Sequence, residues 1–138
     1  MNLTETIVVR TIPAPVEKVF DAWLDPNHPG GPWYGASHIV LHPAVDGLFY
    51  HVIEHEGRKW PHYGRFIRLD RPHHIEHTWV SEATKGVESV VAITLERQGD
   101  ETELTLRHSG IPDDDMGRQH KDGWTWSLTM LAESFAKP

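Results

Sequence analysis

The sequence predicts an α+β domain in which a long antiparallel meander is closed by one C-terminal helix. Three observations point there. Residues Thr4 to Thr11 (TETIVVRT) form a strand rich in β-branched residues. A series of further strand candidates follows, separated by turn signals. From His120 the chain turns amphipathic: Trp124, Leu128, Leu131 and Phe135 fall on one stripe at about 100° per residue, with His120 one turn earlier on the same side. A single long helix at the end of a strand-rich chain has one evident task, to cover the open face of a sheet. A helix that brings a histidine and a large tryptophan to that face can roof a cavity.

The elements follow in order. After the first strand, Pro13-Ala14-Pro15 breaks the pattern, and Pro15 suits the first turn of a helix, where a missing N–H costs nothing. Val16, Val19, Phe20 and Trp23 then make one helical stripe, which Asp25-Pro26 ends because a residue before proline avoids the helical region. Asn27 to Gly35 is a Pro/Gly-rich loop carrying Trp33 and Tyr34. Strands are expected over Ser37 to His42, Gly47 to Glu54, His62 to Leu69, Ile75 to Val80, Val87 to Leu95 and Glu101 to Arg107. Gly57, Asp70-Arg71-Pro72, Lys85-Gly86 and Gly99-Asp100 mark the bends. In the second of these strands Leu48, Tyr50, Val52 and Glu54 alternate with Phe49, His51, Ile53 and His55, so neither face is cleanly polar. Ser109 to Gly117 reads as a loop whose acidic run, Asp113-Asp114-Asp115, can cap the last helix. No repeat or linker divides the chain, and residues 1–138 are expected to form a single domain.

Composition removes several function classes. Cysteine is absent, which excludes disulfides, thiolate metal sites and thiol nucleophiles. A net charge of −7 argues against nucleic acid or an anionic membrane surface as partner. No basic-then-apolar leader is evident and no apolar run approaches the ~20 residues of a membrane span, so a cytoplasmic protein is expected. Eleven histidines make the charge sensitive to pH between about 5 and 7. Six tryptophans suit pocket walls and interfaces as well as cores.

The motifs, taken together, resemble a known family. Ile12-Pro-Ala-Pro-Val-Glu-Lys-Val-Phe-Asp-Ala-Trp23, the Trp33-Tyr-Gly35 loop, Arg71-Pro72 leading to Thr78-Trp79, Leu106-Arg-His-Ser-Gly-Ile-Pro112 and His120-Lys-Asp-Gly-Trp124 occur in the order of that family. It is the group related to the C-terminal domain of the activator of the heat-shock-protein-90 ATPase, within the START-like or SRPBCC superfamily. The resemblance implies a helix-grip fold, a curved antiparallel sheet wrapped around a long C-terminal helix, with a cavity between the two that in related branches holds lipids, polyketides, plant hormones or aromatic substrates. The chain departs from the family pattern at His73-His74 and Glu76-His77, at Gly47-Leu48 and between Pro29 and Pro32, which bears on the polarity and mouth of the cavity and not on the fold.

The first reading of function is therefore binding of a small hydrophobic or aromatic molecule in that cavity, lined by Trp33, Tyr63, Trp79, His120 and Trp124, with no catalytic residue, metal or cofactor. Tyr34 and Trp60 are further candidate walls. The second is a cyclase- or hydratase-like enzyme in which His120 moves a proton; a general base needs a second group to orient its imidazole, and the sequence does not identify one. The third is stimulation of a chaperone ATPase, ranked last because the extra N-terminal domain of the true co-chaperone is not seen. His108-Ser109 is no nucleophilic pair on adjacency alone. His51 and His55 lie about 13 Å apart along a strand, too far to share an ion. Trp126 and Met130 sit opposite the Trp124 stripe, where they pack on the sheet or form a patch for a homodimer.

Overall fold

The structure, a computed structural model, describes residues 1–136. Its elements are β1 (Leu3–Ile12), α1 (Val16–Trp23), β2 (Ile39–Leu41), β3 (Leu48–His55), β4 (Arg58–Asp70), β5 (His74–Ser81), a 3-10 turn (Glu82–Thr84), β6 (Ser89–Gln98), β7 (Glu101–Pro112), α2 (Asp115–Arg118) and α3 (His120–Ala136). The strands form one seven-stranded antiparallel sheet in the order β1-β7-β6-β5-β4-β3-β2. The α+β helix-grip architecture is thus present, with α3 against the inner face of the sheet.

Local chemistry explains the helices. Pro15 stands at the N-cap of α1, and Val16, Val19, Phe20 and Trp23 are all buried. Outside, Arg71 grips both carboxylate oxygens of Asp21 at 2.9 Å, tying α1 to the turn before β5. Asp114 caps α2 by accepting from the Gly117 N–H at 2.7 Å, so the acidic run expected to cap the last helix caps the short helix before it instead. Gly117 has no side chain because a Cβ there would lie 1.9 Å from the Pro112 carbonyl oxygen. In α3, Trp124, Leu128, Leu131 and Ala132 are buried, each large apolar group contributing about 1.5–3 kcal/mol. Phe135 is half-buried and stacks on His28 at 4.9 Å between ring centroids.

Three strand boundaries differ from expectation for identifiable reasons. β7 runs on to Pro112 where a loop was expected at Ser109: Thr4 pairs with Ile111 but Glu5 with Ser109, so Gly110, at φ +74°, is a bulge and the strand continues beyond it. β4 begins at Arg58 because Glu56 and Gly57, both at positive φ, make a two-residue turn that keeps Arg58 paired with His55. β2 shrinks to three residues at the sheet edge. A second bulge at Ile67 reverses the phase of β4, so that His62, Gly64 and Phe66 face inward before it and Leu69 after it.

Candidate functional site

The inner face of β3 and β4 is a ladder of cross-strand pairs. Phe49 lies opposite Gly64, His51 opposite His62, and Ile53 opposite Trp60. The first two pairs are buried; Ile53 is 38% exposed and Trp60 half-buried, so this end of the inner face approaches solvent. Gly64 is glycine because the Phe49 ring covers it: a Cβ would meet that ring at 2.4 Å and the Thr78 carbonyl oxygen at 2.1 Å. At the rim the Arg58 guanidinium lies 4.0 Å over the Trp60 ring and pairs with Glu82 at 2.5 Å.

Trp79, inward on β5, is the hub of this interior. Around its ring stand His62 (4.6 Å between centroids), Trp124 (5.2 Å), His51 (5.7 Å), Phe49 (5.9 Å), His77 and His108 (both 6.1 Å). Trp33 joins from the loop before β2, 4.8 Å from both Phe49 and His51. His120 joins from the start of α3, edge-on to His108 at 4.9 Å. Four of the five residues expected to line a cavity, Trp33, Trp79, His120 and Trp124, therefore belong to one contiguous cluster of rings.

Tyr63 does not. It is 54% exposed on the outer face, between Tyr50 and Val80, because the β3–β4 register turns His62 inward in its place. Trp60 reaches only the rim, and Tyr34 is 54% exposed. His51, His62, His77 and His108 form the polar part of the cluster, and none of them was singled out as a lining residue from the sequence. Among the described residues this interior is packed with the protein's own rings. Two hollows, of about 270 and 490 Å³, lie elsewhere, one between α1 and Phe135 and the other between β1 and Arg118, and none of the five expected residues lines either.

Hydrogen bonding divides the cluster into a satisfied half and an unsatisfied half. On the helix side Trp124 donates its Nε1–H to His108 Nδ1 at 3.0 Å. The Ser89 hydroxyl donates to the Trp79 carbonyl at 2.5 Å, so the 2.7 Å contact of Ser89 Oγ with His108 must be donation by Nε2–H. His108 is thereby fixed as the neutral Nε2–H tautomer with both nitrogens used. Burial, reinforced by His120, His77 and His62, holds its pKa down at about 2. Ser89 spends its proton on a carbonyl and is wholly buried, which leaves no nucleophile here.

On the sheet side, among the described residues, most of the buried polar atoms lack partners. His77 donates Nδ1–H to the Thr78 carbonyl at 2.8 Å, which leaves Nε2 as a buried, unpaired acceptor. His51, 2% exposed, has neither nitrogen bonded. His62 Nδ1 and the indole N–H groups of Trp33 and Trp79 are likewise buried and unpaired. Burial first, and then neighbouring histidines, hold His51 at about 3; burial holds His62 and His77 at about 4. No acidic or basic side chain other than histidine is among the buried residues, so nothing in the core offsets an imidazolium charge. Among the described residues no group of three or more His, Asp or Glu is placed to hold a metal ion.

His120 stands between the two halves and solvent. It donates Nδ1–H to the Gly117 carbonyl at 2.8 Å, which orients the ring and leaves Nε2 as the acceptor. Burial lowers its pKa, opposed by the Gly117 bond and by Asp114. The orienting group that the sequence did not reveal is thus a backbone carbonyl at the end of α2.

Comparisons with known proteins agree with this architecture. The family described as Activator of Hsp90 ATPase homolog 1-like protein matches residues 13–136. Protein CV1439 from Chromobacterium violaceum shares 24% identity over 98% of this chain and 99% of its own, with a TM-score of 0.79. PFC0360w, an HSP90 activator from Plasmodium falciparum, shares 21% identity over 97% of both chains (TM-score 0.75). DynU16, a protein from the dynemicin biosynthetic locus, shares 21% identity over 96% of this chain and 47% of its own (TM-score 0.77). Among curated proteins nothing matches. No described helix is long and apolar enough to cross a membrane. From its matching motifs, its helix-grip architecture and these likenesses, the chain belongs to the Activator of Hsp90 ATPase homolog 1-like family.

Proposed function

We propose that this protein binds a small hydrophobic or aromatic molecule between the inner face of its sheet and α3. One observation carries the reading: six buried polar atoms without partners, on Trp33, His51, His62, His77 and Trp79, lie in one contiguous cluster of rings. Buried polar groups are paired in the great majority of cases, and each orphan costs about 1–3 kcal/mol. Scattered orphans can be filled by single waters, but a set of them on stacked aromatic walls is what a ligand site needs: large apolar area with a few convergent polar groups. Since the rings close on themselves, binding requires some of them to move. Trp33 is the wall suited to yield, because it sits on a loop and no ladder holds its backbone.

The test is native mass spectrometry of gently purified protein. An adduct of defined mass that vanishes on denaturation is the expected result, and its mass narrows the chemistry. Persistent apo mass across native extracts, together with no response to aromatic probes, would remove the reading. The same spectrum reads whether two copies associate; Trp126, 67% exposed, is the large apolar group that α3 offers to a partner copy.

The bond from His120 to the Gly117 carbonyl favours a second reading, in which the bound molecule is also turned over. His120 Nε2 would then accept a proton from it. A His120→Ala variant that keeps the adduct but loses turnover of it supports this role; an unchanged rate ends it.

A further inference from the structure

The unpartnered atoms restrict the ligand further than its being aromatic, an inference that rests on the binding reading above. Trp33 Nε1–H and Trp79 Nε1–H can only donate, so the ligand must accept. His77 Nε2 can only accept, because the ring's one proton is committed to the Thr78 carbonyl, so the ligand must also donate. The indole rings lie 6.0 Å (Trp33) and 6.1 Å (Trp79) from the His77 ring, centroid to centroid. These rings are neighbours in one cluster, so a single ligand there must both donate and accept. A hydroxyl meets this with one atom: its O–H donates to an imidazole nitrogen while its lone pairs receive an indole N–H. A carbonyl or ether would fill the indole donors and leave His77 unpaired, and a hydrocarbon would fill none.

Charge narrows the class again. A carboxylate or phosphate in this interior would need a counter-charge, and the buried residues supply no Arg or Lys. A cationic ligand would need an Asp or Glu, and none is buried. The charged groups at the rim, Arg58 and Glu82, are spent on each other. We infer that the site takes an uncharged aromatic molecule bearing a ring hydroxyl, which donates to His77 Nε2 and accepts from the Trp33 or Trp79 indole N–H.

Four probes of one ring size test this on the wild-type protein at pH 7.5: naphthalene, 2-methoxynaphthalene, 2-naphthol and 2-naphthoate. Binding is followed by quenching of tryptophan fluorescence and by displacement of indole N–H resonances in a two-dimensional ¹⁵N–¹H spectrum. The expected order places 2-naphthol at least ten-fold tighter than naphthalene and 2-methoxynaphthalene, with 2-naphthoate weakest. A His77→Phe variant should lose the ten-fold preference of 2-naphthol over naphthalene; if it does not fold, the wild-type series decides alone. Equal binding of naphthalene, 2-methoxynaphthalene and 2-naphthol would overturn the hydroxyl requirement while leaving an apolar ligand site standing. Tightest binding by 2-naphthoate, accompanied by proton uptake, would show that the histidines charge to receive an anion and would overturn it from the other side. Failure of all four probes to bind would count against the ligand site itself.

Discussion

Lowering the pH from 7 to 5 is expected to cost this protein much of its folding stability. The cause is the set of imidazoles buried without counter-charges. His51, His62, His77 and His108 have an ordinary value of 6.5 and are held down to about 3, 4, 4 and 2 in the fold. Above pH 6.5 both states leave them neutral and their contribution is complete. Below it the unfolded chain takes up protons that the folded chain refuses, so stability falls as pH falls, down to each folded value in turn. Each group then costs somewhat over 1 kcal/mol per pH unit, and the four together roughly 8 kcal/mol by pH 5, against the 5–15 kcal/mol that holds a typical domain. The surface carboxylates act lower on the scale. Glu17 and Asp21 are held below their ordinary values by Arg97 and Arg71, and Asp114 by Lys85, so their support is present above about pH 4 and lost only beneath it. The window near pH 5 therefore belongs to the histidines. Urea titrations at pH 7.5, 6.5, 5.8 and 5.2, read by circular dichroism, should show the unfolding free energy dropping at a slope that no single residue can supply. A flat stability between pH 7.5 and 5 would mean that the imidazoles are hydrated or paired in solution, and the interior described above would be wrong.

Much of this fold was legible in the chain because its elements repeat their chemistry. The α1 stripe from Val16 to Trp23 and the α3 stripe through Trp124, Leu128 and Leu131 are periodic enough to place helix, face and partner. The sequence reads as a loop from Ser109, whereas Gly110 is a bulge that lets pairing of β7 with β1 continue to Pro112. The site was less legible for a related reason. In β4, Tyr63, Arg65 and Ile67 alternate with His62, Gly64 and Phe66, and a large aromatic looks more like a wall than a histidine followed by a glycine. Composition cannot choose between two mixed faces; register can. The signal was present in Glu56-Gly57, which marks a two-residue hairpin turn. From that turn His55 pairs with Arg58, Ile53 with Trp60 and His51 with His62, which brings two histidines to one rung. What no pattern on one strand reveals is that His77 and His108, on β5 and β7, meet that rung through Trp79.

Replacing His51 with phenylalanine is expected to stabilise the protein, the opposite of what most changes at a fully buried position do. His51 is enclosed by Trp33 (4.8 Å), His62 (5.2 Å), Trp79 (5.7 Å) and Phe49 (6.0 Å), and neither of its nitrogens finds a partner. Deleting two desolvated polar atoms gains more than the slightly larger ring loses in packing, a net of roughly 2 kcal/mol. At this chain length that raises Tm by about 6 °C. Because one of four uncompensated imidazoles is gone, the slope of stability against pH below 6.5 should fall by about a quarter in the same variant. His51→Leu, closer in volume and equally apolar, is expected to carry the same sign, which separates the polar effect from the fit of the ring. Differential scanning calorimetry at pH 7.5 reads both variants. A fall in Tm for both would mean that the His51 nitrogens are satisfied in solution, and the case for a ligand that fills them would lose its strongest member. A rise, coupled with weaker binding of 2-naphthol, would identify the unpaired imidazole as a group kept at the expense of stability, which is what a site retained for binding rather than for folding should show.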